Sequence, residues 1–335
     1  MIDRRRFTGL VVASAVAASR SAIGQSSGKV WRIGYLGGTP PTTPEVARVW
    51  GAFVEALQTL GYSEGRNLTI ERRFAEGRSE RFPTFAAELV RLNVDVIVAT
   101  SAPGVRAAME ATRQIPIVMT GTSDPVGAGL IESLARPGGN VTGVADLGLD
   151  LNVKRLELLK AVAPKVIRVA WLQSTFGGLT AGRSAAMRLE MDAAAEALGM
   201  SLLRIQMSTP QDFDGARATI VREHPDALLL NPNPVNLTLR YEIAQLALKQ
   251  RLPAMAARRE EALAGILIAY GLSLADMLRD TAVYVDKIFR GADPAVLPVA
   301  QPTKFELVIN GKTATALGLT IPQAVLLRAD EVIQS

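Results

Sequence analysis

From Val30 onward, short apolar runs alternate with amphipathic stretches of about 10–15 residues, the spacing of strands joined by crossover helices. No other feature constrains the chain as strongly. Two parallel strands cannot be joined by a tight turn. The chain must cross back over the sheet, and a helix does this while burying its apolar stripe. "VWRIGYLGG" reads as a strand ending in glycine. In "TPEVARVWGAFVEALQTLGY", Val46, Val49, Trp50, Phe53, Leu57 and Leu60 fall on one helical face, and Gly61 ends the run. "NLTIERRF", "DVIVAT", "PIVMTGT" and "NVTGVAD" follow as strands. Helices are expected between them over "SERFPTFAAELVRLNV", "SAPGVRAAMEATRQI" and "VGAGLIESLARPGG".

The rhythm restarts at "NVKRLELLKAVAP" and runs through the strands "IRVAWLQ", "SLLRIQM", "DALLLNP", "LPAMAA" and "GILIAYG". The expected fold class is therefore α/β: two Rossmann-like lobes, each built on a parallel sheet. A total of 335 residues, 48 % hydrophobic and only 5 % aromatic, suits two such cores. The tail breaks the pattern. A long helix opens at a Ser cap in "SLADMLRDTAVYVDKIFRG", and the proline-rich "ADPAVLPVAQP" then leads to the strand "KFELVIN" and two short helices. That segment reads as a return crossing, so the lobes share a hinge of several crossings rather than a single tether. The boundaries expected are 31–145 with about 272–300 for the first lobe, and 146–271 with about 301–335 for the second.

Residues 1–24 have a basic head, an apolar middle from Leu10 to Ala18 and small residues at Ala22 and Gly24, the layout of an export signal cleaved before Gln25. Arg4-Arg5-Arg6-Phe7 is similar to the twin-arginine form of that signal, which directs folded proteins to the periplasm. This segment holds a net +3 of the chain's +5, leaving +2 for the remainder. So small an excess, without a basic reading face, argues against nucleic acid as a partner. Cysteine is absent, which excludes disulfides, thiolate metal sites and a cysteine nucleophile.

Parallel sheets bind ligands outside the carboxyl ends of their strands. The first lobe offers Gly38-Thr39, Ser101-Ala102-Pro103 and Thr122-Ser123-Asp124 at successive strand ends, and the second offers Gln173, Asn231 and Tyr270. Facing each other, they make a cleft. Free N–H groups at a helix start hold a carboxylate, and Asp124 is suited to an ammonium. Gly127 and Gly129 do not make a dinucleotide fingerprint, because Glu132 stands where the third glycine belongs and Thr122 to Pro125 fill the tight turn. The single histidine, His224, falls at a helix end on the opposite edge and reads as a C-terminal cap. No catalytic residue, metal or cofactor is expected. The rival readings are an α/β enzyme using the same cleft and the sensor domain of a regulator.

Several stretches together resemble one family: "AFVEALQTLGYSEGRNLTIERRFAEG", "AAELVRLNVDVIVAT", "IPIVMTGTSDPVGAGLIESLARPGGNVTG", "KRLELLK", "VYVDKIFRGADPAVLPVAQPTKFELVINGKTATALGLTIP" and "RADEVIQ". They look like the solute-binding components of ABC transporters of the tryptophan/tyrosine type, over about residues 31–334. The resemblance implies a type I periplasmic binding fold and no catalysis. It further implies an aromatic amino acid or related small-molecule ligand, and the transmembrane subunits of an ABC permease as partner. A monomer is expected. The resemblance carries the first-lobe site onto Gly38-Thr39, Ser101-Ala102-Pro103 and Thr122-Ser123-Asp124. The second lobe departs from the family pattern at "LQSTFGG", at Arg259-Glu260-Glu261 and at Ala264-Gly265-Ile266, which leaves the ligand open.

Overall fold

The computed structural model describes residues 29–146, 148–149, 151–174 and 181–334, so the expected export signal lies outside the described residues. The first sheet contains β1 (Trp31–Gly37), β2 (Leu68–Phe74), β3 (Val96–Thr100), β4 (Ile117–Thr122) and β5 (Val141–Ala145), all parallel, in the order β2-β1-β3-β4-β5. The second contains β6 (Arg168–Gln173), β7 (Ser201–Gln206), β8 (Ala227–Leu230), β9 (Ala254–Ala256), β10 (Ile268–Leu272), β11 (Phe305–Asn310) and β12 (Glu331–Ile333). Its order is β12-β11-β10-β9-β8-β6-β7, and only the β10–β11 pair is antiparallel. The expected α/β class and two-lobed architecture are what the chain adopts.

Helix α1 (Pro44–Thr59) starts where the sequence favours a start: Thr43 is extended, Pro44 occupies the first turn and Glu45 meets the positive end of the helix dipole. It buries Val46, Val49, Phe53 and Leu57, each worth about 1.5–3 kcal/mol when fully removed from water. Helices α2 (Phe82–Arg91) and α3 (Ser101–Ala111) cover the other face of the first sheet. The second lobe carries α4 (Asn152–Val162), α5 (Ala181–Ala197), α6 (Phe213–Glu223), α7 (Pro234–Thr238), α8 (Arg240–Lys249) and α9 (Arg259–Leu263). Helix α10 (Leu274–Phe289) begins at the expected Ser273 cap, whose hydroxyl accepts the Asp276 N–H at 3.3 Å, and packs beside α1 on the first sheet. Trp31 stacks on Phe289 with ring centroids 4.2 Å apart, fastening α10 to β1. Helices α11 (Gly311–Leu317) and α12 (Gln323–Leu326) complete the chain.

One expected helix does not form. Residues 126–139 link β4 to β5 by consecutive turns. One proline and four glycines lie within that stretch, and helix interiors disfavour each glycine by about 1 kcal/mol and a proline by about 3. Gly129 and Gly138 take φ of +66° and +83°. The segment still covers the sheet by burying Ala128, Leu130 and Ile131 beside α3, while the Arg106 guanidinium donates to the Ala128 carbonyl at 2.6 Å.

The lobes are joined at the β5 end of the first sheet. The chain passes from β5 to α4, from β10 to α10, and back through residues 290–304 to β11. The proline-rich return lies along β5: the Ala145 and Ala300 amides donate to the Ala300 and Gly143 carbonyls, each at 2.9 Å, and Thr142 donates to Leu297 at 2.7 Å. Three adjacent crossings thus join the lobes along this edge, the arrangement of a hinge.

Candidate functional site

Between the carboxyl edges of the two sheets lies a cavity of about 250 Å³. Of the residues expected at strand ends, Gly38, Thr39, Ser101, Ala102, Ser123, Gln173 and Asn231 line it. Pro103, Thr122, Asp124 and Tyr270 do not.

The strand-to-helix turn at Ser101 is unusual. Ser101 has φ +63° although it opens α3, and its hydroxyl donates to the Thr100 carbonyl at 2.5 Å. A non-glycine residue in the left-handed region is held there by its surroundings at a cost of about 1–3 kcal/mol. The turn directs the first amides of α3, with their partial positive charge, toward the cavity. Pro103 lacks an N–H and so adds no donor. Gly38 donates its N–H to Thr100 Oγ1 at 3.0 Å. A Cβ on Gly38 would fall 2.8 Å from the Cβ of Pro234, so this glycine is what lets the second lobe approach.

Asp124 turns away from the cavity. Its φ is +49°, and Oδ1 accepts the Gly127 N–H at 2.9 Å, closing the turn that replaces the expected helix. It faces a neighbouring recess, which it shares with Ser123 and Asp146. Thr122 is fully buried, and its carbonyl accepts the Asp146 N–H at 2.9 Å. The Tyr270 ring packs against Phe305, 6.0 Å between centroids, and its carbonyl accepts from Arg155 Nε at 2.7 Å.

The second lobe supplies amides. Trp171, fully buried as a core residue, donates its indole N–H to Asn231 Oδ1 at 2.6 Å and so orients that side chain at the cavity wall. The Asn231 carbonyl also accepts from Asn236 Nδ2 at 2.8 Å. Gln173 ends β6 with a buried Nε2 that has no partner among the described residues, a donor poised at the wall.

Two charged residues of the site are absent from the strand-end expectations. Asp146 directly follows β5, and Arg258 lies two residues beyond β9. Both are buried, both line the cavity, and they form an ion pair across the crossings. Arg258 Nη1 also donates to the Leu272 carbonyl at 3.0 Å, and Asp146 Oδ1 accepts the Gly148 N–H at 2.6 Å. Behind them, Glu261 Oε2 accepts the N–H groups of Arg258 at 2.9 Å and Ala257 at 3.1 Å. Burial raises the Glu261 carboxyl to about 7, against the pull of these amides and of Arg258. Arg155 is fully buried and bonded to the carbonyls of Tyr270 and Gly148. Burial, then repulsion from Arg258, lowers it to about 9. The signal for Asp146 and Arg258 was the same strand-end rule that selected the other residues.

The opposite wall is aromatic. Tyr35, Trp50 and Phe74 line it, with Tyr35 edge-on to Trp50 at 4.7 Å and Tyr35 to Phe74 at 5.8 Å. One wall thus presents π-faces and edges to a flat apolar body, and the other presents a guanidinium, a carboxylate, amides and a helix N-terminus. His224 caps the C-terminus of α6 in the left-handed conformation with φ +45°, on the far edge of the second sheet, so no imidazole approaches Ser101. Among the described residues, no group of three or more His, Asp or Glu side chains is placed to hold a metal ion, and no helix is long and apolar enough to cross a membrane.

The family model for ABC transporter substrate binding proteins matches residues 43–333. The chain belongs to that family. A tyrosine-binding protein of Clostridioides difficile is 26 % identical over 280 residues, covering 82 % of this chain and 78 % of its own length. The Streptococcus pneumonia ABC domain in complex with L-Trp superposes with a TM-score of 0.80 at 26 % identity, covering 90 % of this family member and 99 % of that chain. A ligand-free, open substrate binding protein from Clostridium difficile, also 26 % identical, covers 91 % and 100 % but reaches a TM-score of only 0.61. In this binding protein Gly38 of one lobe lies against Pro234 of the other.

Proposed function

We propose that this substrate-binding protein captures an aromatic amino acid, or a related flat carboxylate, in the interlobe cavity and delivers it to an ABC permease. The observation that carries this reading is the division of the cavity into an aromatic wall (Tyr35, Trp50, Phe74) and a charged wall (Arg258, Asp146). Arg258 and the first amides of α3 hold the carboxylate, with Ser101, Ala102 and Ser123 beside them. Asp146 takes the role of ammonium partner that the sequence suggested for Asp124. Gln173, Asn231, Gly38 and Thr39 close over the ligand from the strand ends. The tyrosine-binding relative and the L-Trp complex support the ligand class. The basic head and apolar middle of residues 1–24 support export to the periplasm, with the arginine run favouring the twin-arginine route.

The test is thermal unfolding of residues 25–335 against aromatic amino acids, aromatic acids without an amino group, and aliphatic amino acids. A ligand at about 100 times its Kd adds about 2.7 kcal/mol, a shift of several degrees. The expected result is a shift with aromatic amino acids and no product by mass spectrometry. A shift confined to aliphatic ligands, or turnover of the bound compound, overturns the reading.

A further inference from the structure

The lobes also meet outside the cavity. The crossings lie at the β5 end of the first sheet, whereas the loop after β1 and the start of α1 lie toward the opposite end. There the second lobe reaches over with α7 and α8. Arg240 Nη2 donates to Thr43 Oγ1 at 2.5 Å and stands 3.5 Å from Glu45 Oε2. The Tyr241 hydroxyl donates to the same Glu45 oxygen at 2.7 Å, and the hydroxyls of Thr39 and Thr238 are 3.4 Å apart. Thr43, Glu45, Arg240 and Tyr241 are not among the residues lining the cavity.

Arg240 is poorly placed for the stability of its own lobe. It is the first residue of α8, where the helix dipole disfavours a cation, yet it is only 2 % exposed. Its Nη1 donates to the Leu237 carbonyl at 2.7 Å, and its Nε has no partner among the described residues. Glu260 on α9 attracts it from within its lobe. The carboxylate that reaches it, Glu45, comes from the other lobe. A charge buried at the unfavourable end of a helix and paired across a moving interface favours the state in which that interface is made.

We propose that Thr43 and Glu45 on the first lobe and Arg240 and Tyr241 on the second form a latch that holds the cleft shut whatever ligand it contains. The latch rests on the closing motion in the functional reading, but not on the identity of the solute. On opening, water replaces each of these partners, and the pairing weakens as its surroundings become more polar. The four residues therefore set the closed population, and with it the rate of ligand escape, without touching the ligand.

The absence of cysteine makes a direct test simple. Glu80→Cys and Ala218→Cys place spin labels at exposed positions, one on each lobe. Interlobe distances are then measured by pulsed dipolar spectroscopy in ligand-free protein, with circular dichroism confirming the fold of each variant. The expected result is a distinct short-distance population beside the open one in the otherwise unaltered protein. Glu45→Gln and Tyr241→Phe should each lower the closed-to-open ratio about two- to fivefold, and the pair together by less than the product of the two. A parent protein with no short-distance population, or variants with its unaltered distribution, overturns the latch. Because no ligand enters this measurement, failure of the solute assignment does not change what it says about the latch.

Discussion

Replacing Gly38 by Ala should weaken ligand binding without weakening the fold. Within its own lobe the added methyl comes nearest to Thr100 Oγ1, at 3.8 Å, an ordinary contact. Across the cleft it meets Pro234 Cβ at 2.8 Å and Cγ at 2.9 Å, about 1 Å inside the usual carbon–carbon separation of about 3.5–4.0 Å. Pro234 cannot yield easily, because its ring is tied to the backbone at the start of α7. The overlap exists only when the lobes are together, and the protein escapes it by opening. Overpacking of this kind costs about 1–3 kcal/mol, here borne by the closed state alone, which corresponds to about a 5- to 150-fold rise in Kd. Calorimetric titration with the ligand that gives the largest thermal shift measures the affinity. Urea unfolding of the ligand-free protein measures the fold, where the midpoint should stay put. An unchanged Kd, or a loss of ligand-free stability matching the loss of affinity, refutes the argument that Gly38 serves lobe approach.

Two further outcomes follow from the buried charges. Arg258→Ala leaves Asp146 without its counter-charge and should lower unfolding stability by about 3–5 kcal/mol, read from urea midpoints; a loss below about 1 kcal/mol would show that the pair is dispensable. Glu261 has a folded value of about 7 against an ordinary 4.5, so the folded state holds its proton more tightly than the unfolded chain. The stability this contributes is complete below the unfolded value and is lost as pH rises from about 4.5 through about 7. Glu261→Gln keeps an oxygen for the Ala257 and Arg258 amides and should remove that decline. Equal slopes for wild type and variant between pH 5 and pH 8 would assign the pH dependence elsewhere.

The readable parts of the site were those that depend on strand ends alone. Gly38, Ser101, Gln173 and Asn231 were legible because a parallel sheet gathers its carboxyl ends on one edge, whatever the loops do. Asp124 was expected at the cavity and lines the neighbouring recess instead. Once residues 126–139 become turns, its carboxylate is taken up by Gly127. Tyr270 was ambiguous in principle, since side chains alternate across a strand and a single shift of register sends the ring to the other face. Trp50 read as part of an apolar helix face by its spacing, and the sequence holds no sign that its outer edge, or that of Phe74, lines a cavity.

Hydrophobic periodicity by itself determined the α/β class, the number of sheets and which edge of each would face a ligand, because those follow from local pattern and the geometry of parallel crossovers. The Arg258–Asp146 pair, 112 residues apart, and the contact of Glu45 with Arg240, 195 residues apart, were decided only when the lobes were set against each other. A charged side chain carries no mark of its partner in the chain. Its energy depends on what burial removes and what the opposing surface supplies, and both are properties of the assembled lobes.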